Sequence, residues 1–172
     1  MTVVRPWVAG DLAATRSIFN EAVATTTAAW NWEPVGEAEW AEWCGAHTAG
    51  RHSLFVAEAD GSVVGFGGVG PFRERAGYKL TGEDTVYVAP GSRGQGVGAA
   101  LLAETISAAR AKGLHAVVGA LDSNNPASVA LHARFGFTEV GRLPQVGHKF
   151  GRWLDLVLVE LLLDDRALPP ET

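Results

Sequence analysis

Four glycines crowd the segment Val86-Tyr87-Val88-Ala89-Pro90-Gly91-Ser92-Arg93-Gly94-Gln95-Gly96-Val97-Gly98-Ala99, between an apolar run of strand type and the first turn of a helical pattern. The first N–H groups of a helix have no partner within it, and the aligned peptide dipoles add partial positive charge there. Glycines let a ligand approach the backbone closely. The chemistry on offer is the cradling of a pyrophosphate. It is not a Walker-type loop, because no Gly-Lys-Ser/Thr follows. Gly94, Gly96 and Ala99 do fit G-x-G-x-x-G/A, and Asp122 lies further on at a strand end, where a ribose-binding acid belongs. Two observations weigh against a nicotinamide cofactor. Five residues separate Val88 from Gly94, and no second βαβ unit follows.

A second cluster is cationic. Arg73 and Arg75 stand in the polar, irregular stretch 71–82, with Tyr78 close by. Two guanidinium groups suit a carboxylate or phosphinate bidentately. His47, His52, His115 and His148 show no metal-ligand spacing with Cys44, so no metal is expected.

These residues need elements to position them. Thr2 to Arg5 reads as a first strand whose pairing Pro6 ends. Asp11 opens a helix through Leu12, Ile18, Phe19, Ala22 and Val23, which the β-branched run Thr25-Thr26-Thr27 weakens. Glu37 to Thr48 reads as a second helix. Leu54 to Glu58 and Val63 to Val69 read as strands joined by Ala59-Asp60-Gly61-Ser62, a hairpin signal. Asp84 to Val88 is a further strand, Gly96 to Lys112 a helix stopped by Gly113, and Ala116 to Leu121 a buried-type strand. Asn125 to Phe135 is a short helix, followed by strands near 138–141 and 153–162. The order predicts an α/β (α+β) fold: one domain over 1–166, a central twisted mixed β-sheet with helices on both faces, and a flexible tail at 167–172.

Composition narrows the function. The 172 residues are 47% hydrophobic and 19% charged, which is globular. Net charge is −5, with 14 Lys plus Arg against 19 Asp plus Glu. Between Ser17 and Gly50 stand Glu21, Glu33, Glu37, Glu39 and Glu42 with no Lys or Arg, so the excess is local. There is no general basic field for nucleic acid. One cysteine makes no internal disulfide. No leader-like apolar run opens the chain, and no stretch of about 18 apolar residues would span a membrane. A soluble cytoplasmic protein is the expectation.

The motifs resemble a known family. Arg93-x-x-Gly96-x-Gly98 after Val86-Tyr87-Val88 is similar to the Q/R-x-x-G-x-G/A motif of the GNAT superfamily of N-acetyltransferases. Asn125-Pro126-Ala127-Ser128 with Phe135-Gly136-Phe137 resembles its N-x-x-A/S and L/F-G-F pattern. Within it, Phe19-Asn20-Glu21-Ala22-Val23 with Thr26 and Trp30, Gly70 to Tyr78, Glu83 to Val88, and Gly147 to Asp155 look like the phosphinothricin/methionine sulfoximine acetyltransferases.

The resemblance implies acetyl-CoA as co-substrate, held by Val86, Tyr87, Val88, Arg93, Gly94, Gln95, Gly96, Val97, Gly98, Asn125 and Ser128, with main chain at or near Val88 binding the thioester oxygen. It implies a small-molecule amine acceptor with an α-amino group, and a homodimer. Glu83, just before the central strand, matches the family's catalytic glutamate and would be general base, directly or through a water; Asp84 is the neighbouring alternative. His132, seven residues after Asn125, stands where many relatives have a Tyr, and could act as acid, orient the thiolate or take the amine proton. Arg73, Arg75, Tyr78 and Lys149 would hold the acceptor's acid group, with Trp30 as an apolar wall. The acidic, Trp-rich stretch 17–50 would then wall the acceptor pocket, Trp30 inward and the glutamates mostly in solvent. Acetylation of a protein N-terminus, a lysine or a polyamine, or a non-catalytic acyl-CoA-binding module, are the competing readings; the arginines speak against a polyamine.

Overall fold

The computed structural model describes residues 2–170, so the end of the expected tail, 171–172, lies outside it. Seven strands form one sheet: β1 (Val3–Pro6), β2 (Ser53–Ala59), β3 (Ser62–Pro71), β4 (Thr81–Val88), β5 (Ala116–Asp122), β6 (Thr138–Lys149) and β7 (Arg152–Leu162). Their order is β1-β2-β3-β4-β5-β7-β6, antiparallel except for the parallel β4–β5 pair. The expected mixed sheet is present. Asp60 and Gly61, both at positive φ (50° and 74°), make the tight β2–β3 turn.

Two helices cover each face. The first pair is α1 (Leu12–Thr25) and α2 (Glu37–Thr48), and the second is α3 (Val97–Ala111) and α4 (Pro126–Arg134). α1 buries Thr15, Ile18, Ala22 and Val23, and α3 buries Val97, Leu101, Leu102, Thr105, Ile106 and Ala109, both at helical spacing. α1 stops at Thr25, within the β-branched run.

Aromatic rings build the α1/α2 side of the core. Phe19 stacks on Trp40 (4.8 Å), Trp40 on Trp43 (4.6 Å) and Trp43 on His47 (3.6 Å). His47 ends this ladder over Gly70 of β3: a Cβ at Gly70 would fall 2.1 Å from its Nε2. Burial pushes the His47 pKa down to about 4. On the other side Leu102, Leu114, Val117 and Val157 centre the core between α3 and the sheet.

Several boundaries differ from expectation. β1 includes Pro6, which pairs with Phe55 as the strand's last residue, an edge position where its missing N–H does no harm. β4 starts at Thr81, so Glu83 lies inside the strand. β6 runs on to Lys149 instead of ending near Gly141, because register shifts absorb Val140 and the Pro144 stretch that look like breaks. Among the described residues no helix is long and apolar enough to cross a membrane.

Candidate active site

The site begins where two strands part. Only Thr81, Gly82 and Glu83 of β4 pair with β5, opposite Ala116, Val117 and Val118. Beyond that point each strand continues against its other neighbour alone. The Ala89 N–H donates to Val64 O at 2.9 Å. By the alternation of antiparallel bonds, Tyr87 also turns its main-chain groups toward β3, while Val86 and Val88 turn theirs to the open side. These groups form a ready edge for an extended ligand.

A groove of about 650 Å³ occupies the opening, and a smaller cavity of about 140 Å³ shares Ala28, Val86, Tyr87, Asn125 and Ser128 with it. One wall is the glycine loop. Gly94 and Gly96 have φ of 75° and 85°, a region that favours glycine, and where a Cβ would stand on either there is only open space. The first bond of α3 runs from the Ala100 N–H to Gly96 O, so the amides of Val97, Gly98 and Ala99 precede it and have no partner within the helix. This donor set at a helix N-terminus fits a pyrophosphate.

The loop's side chains have other tasks. Arg93 donates from Nε to Val88 O and from Nη2 to Glu21 Oε2, both at 3.0 Å. Gln95 donates back to Gly91 O, and the Val97 side chain is buried in the core. Val97 can therefore serve a ligand only through main chain. Across the groove, Asn125 caps α4 by accepting from the Ser128 N–H at 3.2 Å.

Glu83 and Asp84 point to opposite faces. Glu83 is opposite Gly70 in the ladder, on the α2 side, with Arg73 Nη1 3.7 Å from its Oε2. Burial raises the Glu83 pKa, and this outweighs the lowering by Arg73; the Asp84 charge adds to the rise. A carboxyl so tuned suits a general base nearer neutral pH. Arg73 also lies over the Phe72 ring, whose edge meets Tyr78. Arg73, Arg75 and Tyr78 are all exposed. Asp84 is buried on the α4 side, 2.9 Å from His132 Nε2.

The structure brings Glu83, Asp84, Tyr87, Asn125, Ser128 and His132 to one cavity. It does not bring Lys149 there. Its buried ammonium donates to the carbonyls of Val23 (2.6 Å), Thr26 (2.9 Å) and Ala29 (2.6 Å), which uses all three N–H groups, so Lys149 is a strut for the end of α1 and not a ligand for an acid group. Trp30 is corrected too. Its Nε1 donates to Thr27 O and its ring lies on Gly147, where a Cβ would come within 2.4 Å. Thr26, Thr27 and Ala28 line the groove instead, and Ala28 also lines the cavity with Glu83. Thr27 donates to Asp122, and the Tyr87 hydroxyl donates to Ala28 O. Asp122 is thus engaged within the fold. Glu33, Glu37, Glu39 and Glu42 are exposed, and Glu21 is paired with Arg93. Sequence reasoning missed the Glu21–Arg93 and Asp84–His132 pairs. The helical register of Glu21 and the strand alternation at Asp84 are the only signals it held. Among the described residues no three potential metal ligands come together.

Comparison with known proteins fits this geometry. The family model described as acetyltransferase (GNAT) family matches residues 15–137. The chain is 44% identical over 161 residues to the L-methionine sulfoximine/L-methionine sulfone acetyltransferase of Pseudomonas aeruginosa, covering 93% of this chain and 94% of that one. It is 41% identical to the phosphinothricin N-acetyltransferase of Alcaligenes faecalis, covering 92% and 82%. Its fold is similar to that of an acetyltransferase from Salmonella typhimurium solved with its cofactor acetyl-CoA, with TM-score 0.96 and 38% identity over 100% of this chain and 99% of the other.

Proposed function

The chain belongs to the acetyltransferase (GNAT) family and is an acetyl-CoA-dependent N-acetyltransferase, and from that premise we propose that its acceptor is a small amino acid of the methionine sulfoximine, methionine sulfone or phosphinothricin type, acetylated on the α-amino group. The observation that carries this reading is the half-buried Glu83 carboxylate beside Arg73 on the acceptor side of the parted strands.

Acetyl-CoA supplies an activated acetyl thioester. The amides at the start of α3, with Gly94 and Gly96, hold its pyrophosphate, and the main-chain groups of Val86 with the Val88 N–H hold the arm that reaches the notch where β4 and β5 part. Glu83 takes a proton from the acceptor's ammonium, directly or through a water, and so frees the nitrogen pair for attack. Arg73 and Arg75, with Tyr78, hold the acceptor's acid group, which fixes the amine near Glu83. His132 stands at the sulfur end of the path.

The enzyme acts as a homodimer in the cytoplasm in this reading. The self-association surface is the β6–β7 edge of the sheet, where Val140, Leu143, Val146 and Trp153 are exposed. An acetyl-CoA consumption screen tests the acceptor class. Turnover with methionine sulfone or phosphinothricin, and none with a polyamine or an N-terminal peptide, is the expected pattern; the reverse pattern overturns it.

A further inference from the structure

His132 and Asp84 form one buried pair across 48 residues of chain, with side chains 3% and 2% exposed. His132 Nδ1 lies 2.7 Å from Ser128 O. A carbonyl only accepts, so Nδ1 carries hydrogen. Nε2 meets Asp84 Oδ2 at 2.9 Å, where a carboxylate is the acceptor for a second hydrogen. Burial alone favours the neutral ring, but the hydrogen bond and charge of Asp84, helped by Ser128 O, outweigh it and raise the pKa of the ring.

The pair stands at the notch itself. Asp84 is the first residue of β4 past the last β5 pair, Glu83 with Val118, and Gly119 is the next residue of β5. A Cβ on Gly119 would lie 2.9 Å from Asp84 Oδ1, 3.3 Å from His132 Cδ2 and 2.8 Å from Val159 Cγ2. The glycine makes the room the pair occupies. Phe137 meets the ring edge-on at 5.0 Å. Gly119 from β5, Val159 from β7 and Phe137 after α4 carry no charge, so Asp84 from β4 is the charged group facing the imidazole. Asp84 Oδ1 is buried with no hydrogen-bond partner among the described residues, which leaves the carboxylate dependent on His132 for compensation.

We propose that Asp84 is a positioning residue that holds His132 at the notch with both ring nitrogens committed, so that the ring aids departure of the thiolate by its fixed positive charge and gives up no proton. This rests on the reading above that the thioester is brought to the notch. The bond to the acceptor nitrogen forms, and the carbon–sulfur bond breaks with its electron pair left on sulfur. The acceptor's ammonium gives one proton to Glu83 before attack, its nitrogen loses a second to solvent after the new bond forms, and sulfur takes its proton from solvent. A doubly bonded ring inside an ion pair is a poor proton donor but a constant source of field in a water-poor cleft.

The test begins with the unaltered protein. In ¹⁵N-histidine NMR at about pH 7.5, well above the usual imidazole pKa, both His132 nitrogens are expected in the protonated range. A bare nitrogen there overturns the proposal. Asp84→Asn keeps the shape, and its amide can donate to Nε2, which leaves a neutral ring. The expected result is one bare nitrogen, a kcat lowered about tenfold or more, and KM for acetyl-CoA unchanged within about twofold. A neutral ring with unchanged kcat also overturns it. The spectrum of the unaltered protein requires neither a folded variant nor the right acceptor. Failure of every amino-acid acceptor alongside a doubly protonated ring counts against the acceptor reading alone.

Discussion

Glu83 and Asp84 are consecutive residues of β4, yet their carboxyl groups serve opposite faces of the sheet. Glu83 lies toward α2 with Arg73 3.7 Å away, and Asp84 lies toward α4 with His132 at 2.9 Å. Strand alternation causes the separation. Each carboxyl meets a different partner, and because the strands part at this point, both reach the same cavity. Asp84 is committed to the His132 ring, and Glu83 is left on the Arg73 side of the cavity.

Replacing Glu83 by Gln removes the proposed proton acceptor and keeps the shape. We expect kcat to fall about tenfold or more at neutral pH, with acetyl-CoA affinity by calorimetry unchanged. In the unaltered enzyme the base works only when deprotonated. Its raised pKa therefore places the acid limb of the kcat profile above the ordinary glutamate value of 4.5, with activity rising as pH increases through it. The limb should vanish in the Gln variant.

Arg73→Ala has two expected effects. The acceptor KM rises, since one of the two guanidinium groups for its acid group is gone. The acid limb also moves to higher pH, because Arg73 is the group that lowers the Glu83 pKa against burial. Arg75→Ala should raise KM without moving the limb, since Arg75 is not among the groups acting on Glu83. Steady-state kinetics from pH 5 to 9 separates the two.

Gly96→Val places a β-branched residue at φ 85°. Such residues avoid this region, so the loop must change course, and the side chain would project into the space assigned to phosphate. Loss of acetyl-CoA affinity of about a hundredfold is expected by calorimetry, equivalent to about 2.7 kcal/mol.

Lys149→Met leaves three carbonyls without donors at the end of α1. Unfolding free energy should fall by about 3 kcal/mol, which denaturant titration reads directly. A direct bond to the acceptor would instead raise KM with stability intact.

Much of this organisation was legible beforehand. The bounds of α2 and the β2–β3 turn follow from local chemistry, as does the glycine loop. β6 was foreshortened because Gly141, Pro144 and Gly147 look like breakers, and only pairing with β7 reveals that bulges absorb them. The place of Lys149 is hidden in the sequence because its three acceptors lie 120 or more residues away. No local pattern can show an ammonium reaching back to the end of a helix. The seat of Trp30 is hidden for the same reason, since distant Gly147 provides it. Glu21, in an acidic stretch expected mostly in solvent, instead holds Arg93 of the glycine loop. The polar and apolar periods position elements, whereas pairs made across the sheet decide which charged groups remain available to a substrate.

The most direct test compares kcat/KM for methionine sulfone with that for its carboxamide, which keeps the α-amine and removes the acid group. If Glu83 acts on an amine that Arg73 and Arg75 hold by its acid group, the free acid should be favoured by about a hundredfold, and Arg73→Ala should erase most of that preference. Equal kcat/KM for acid and carboxamide would contradict the account.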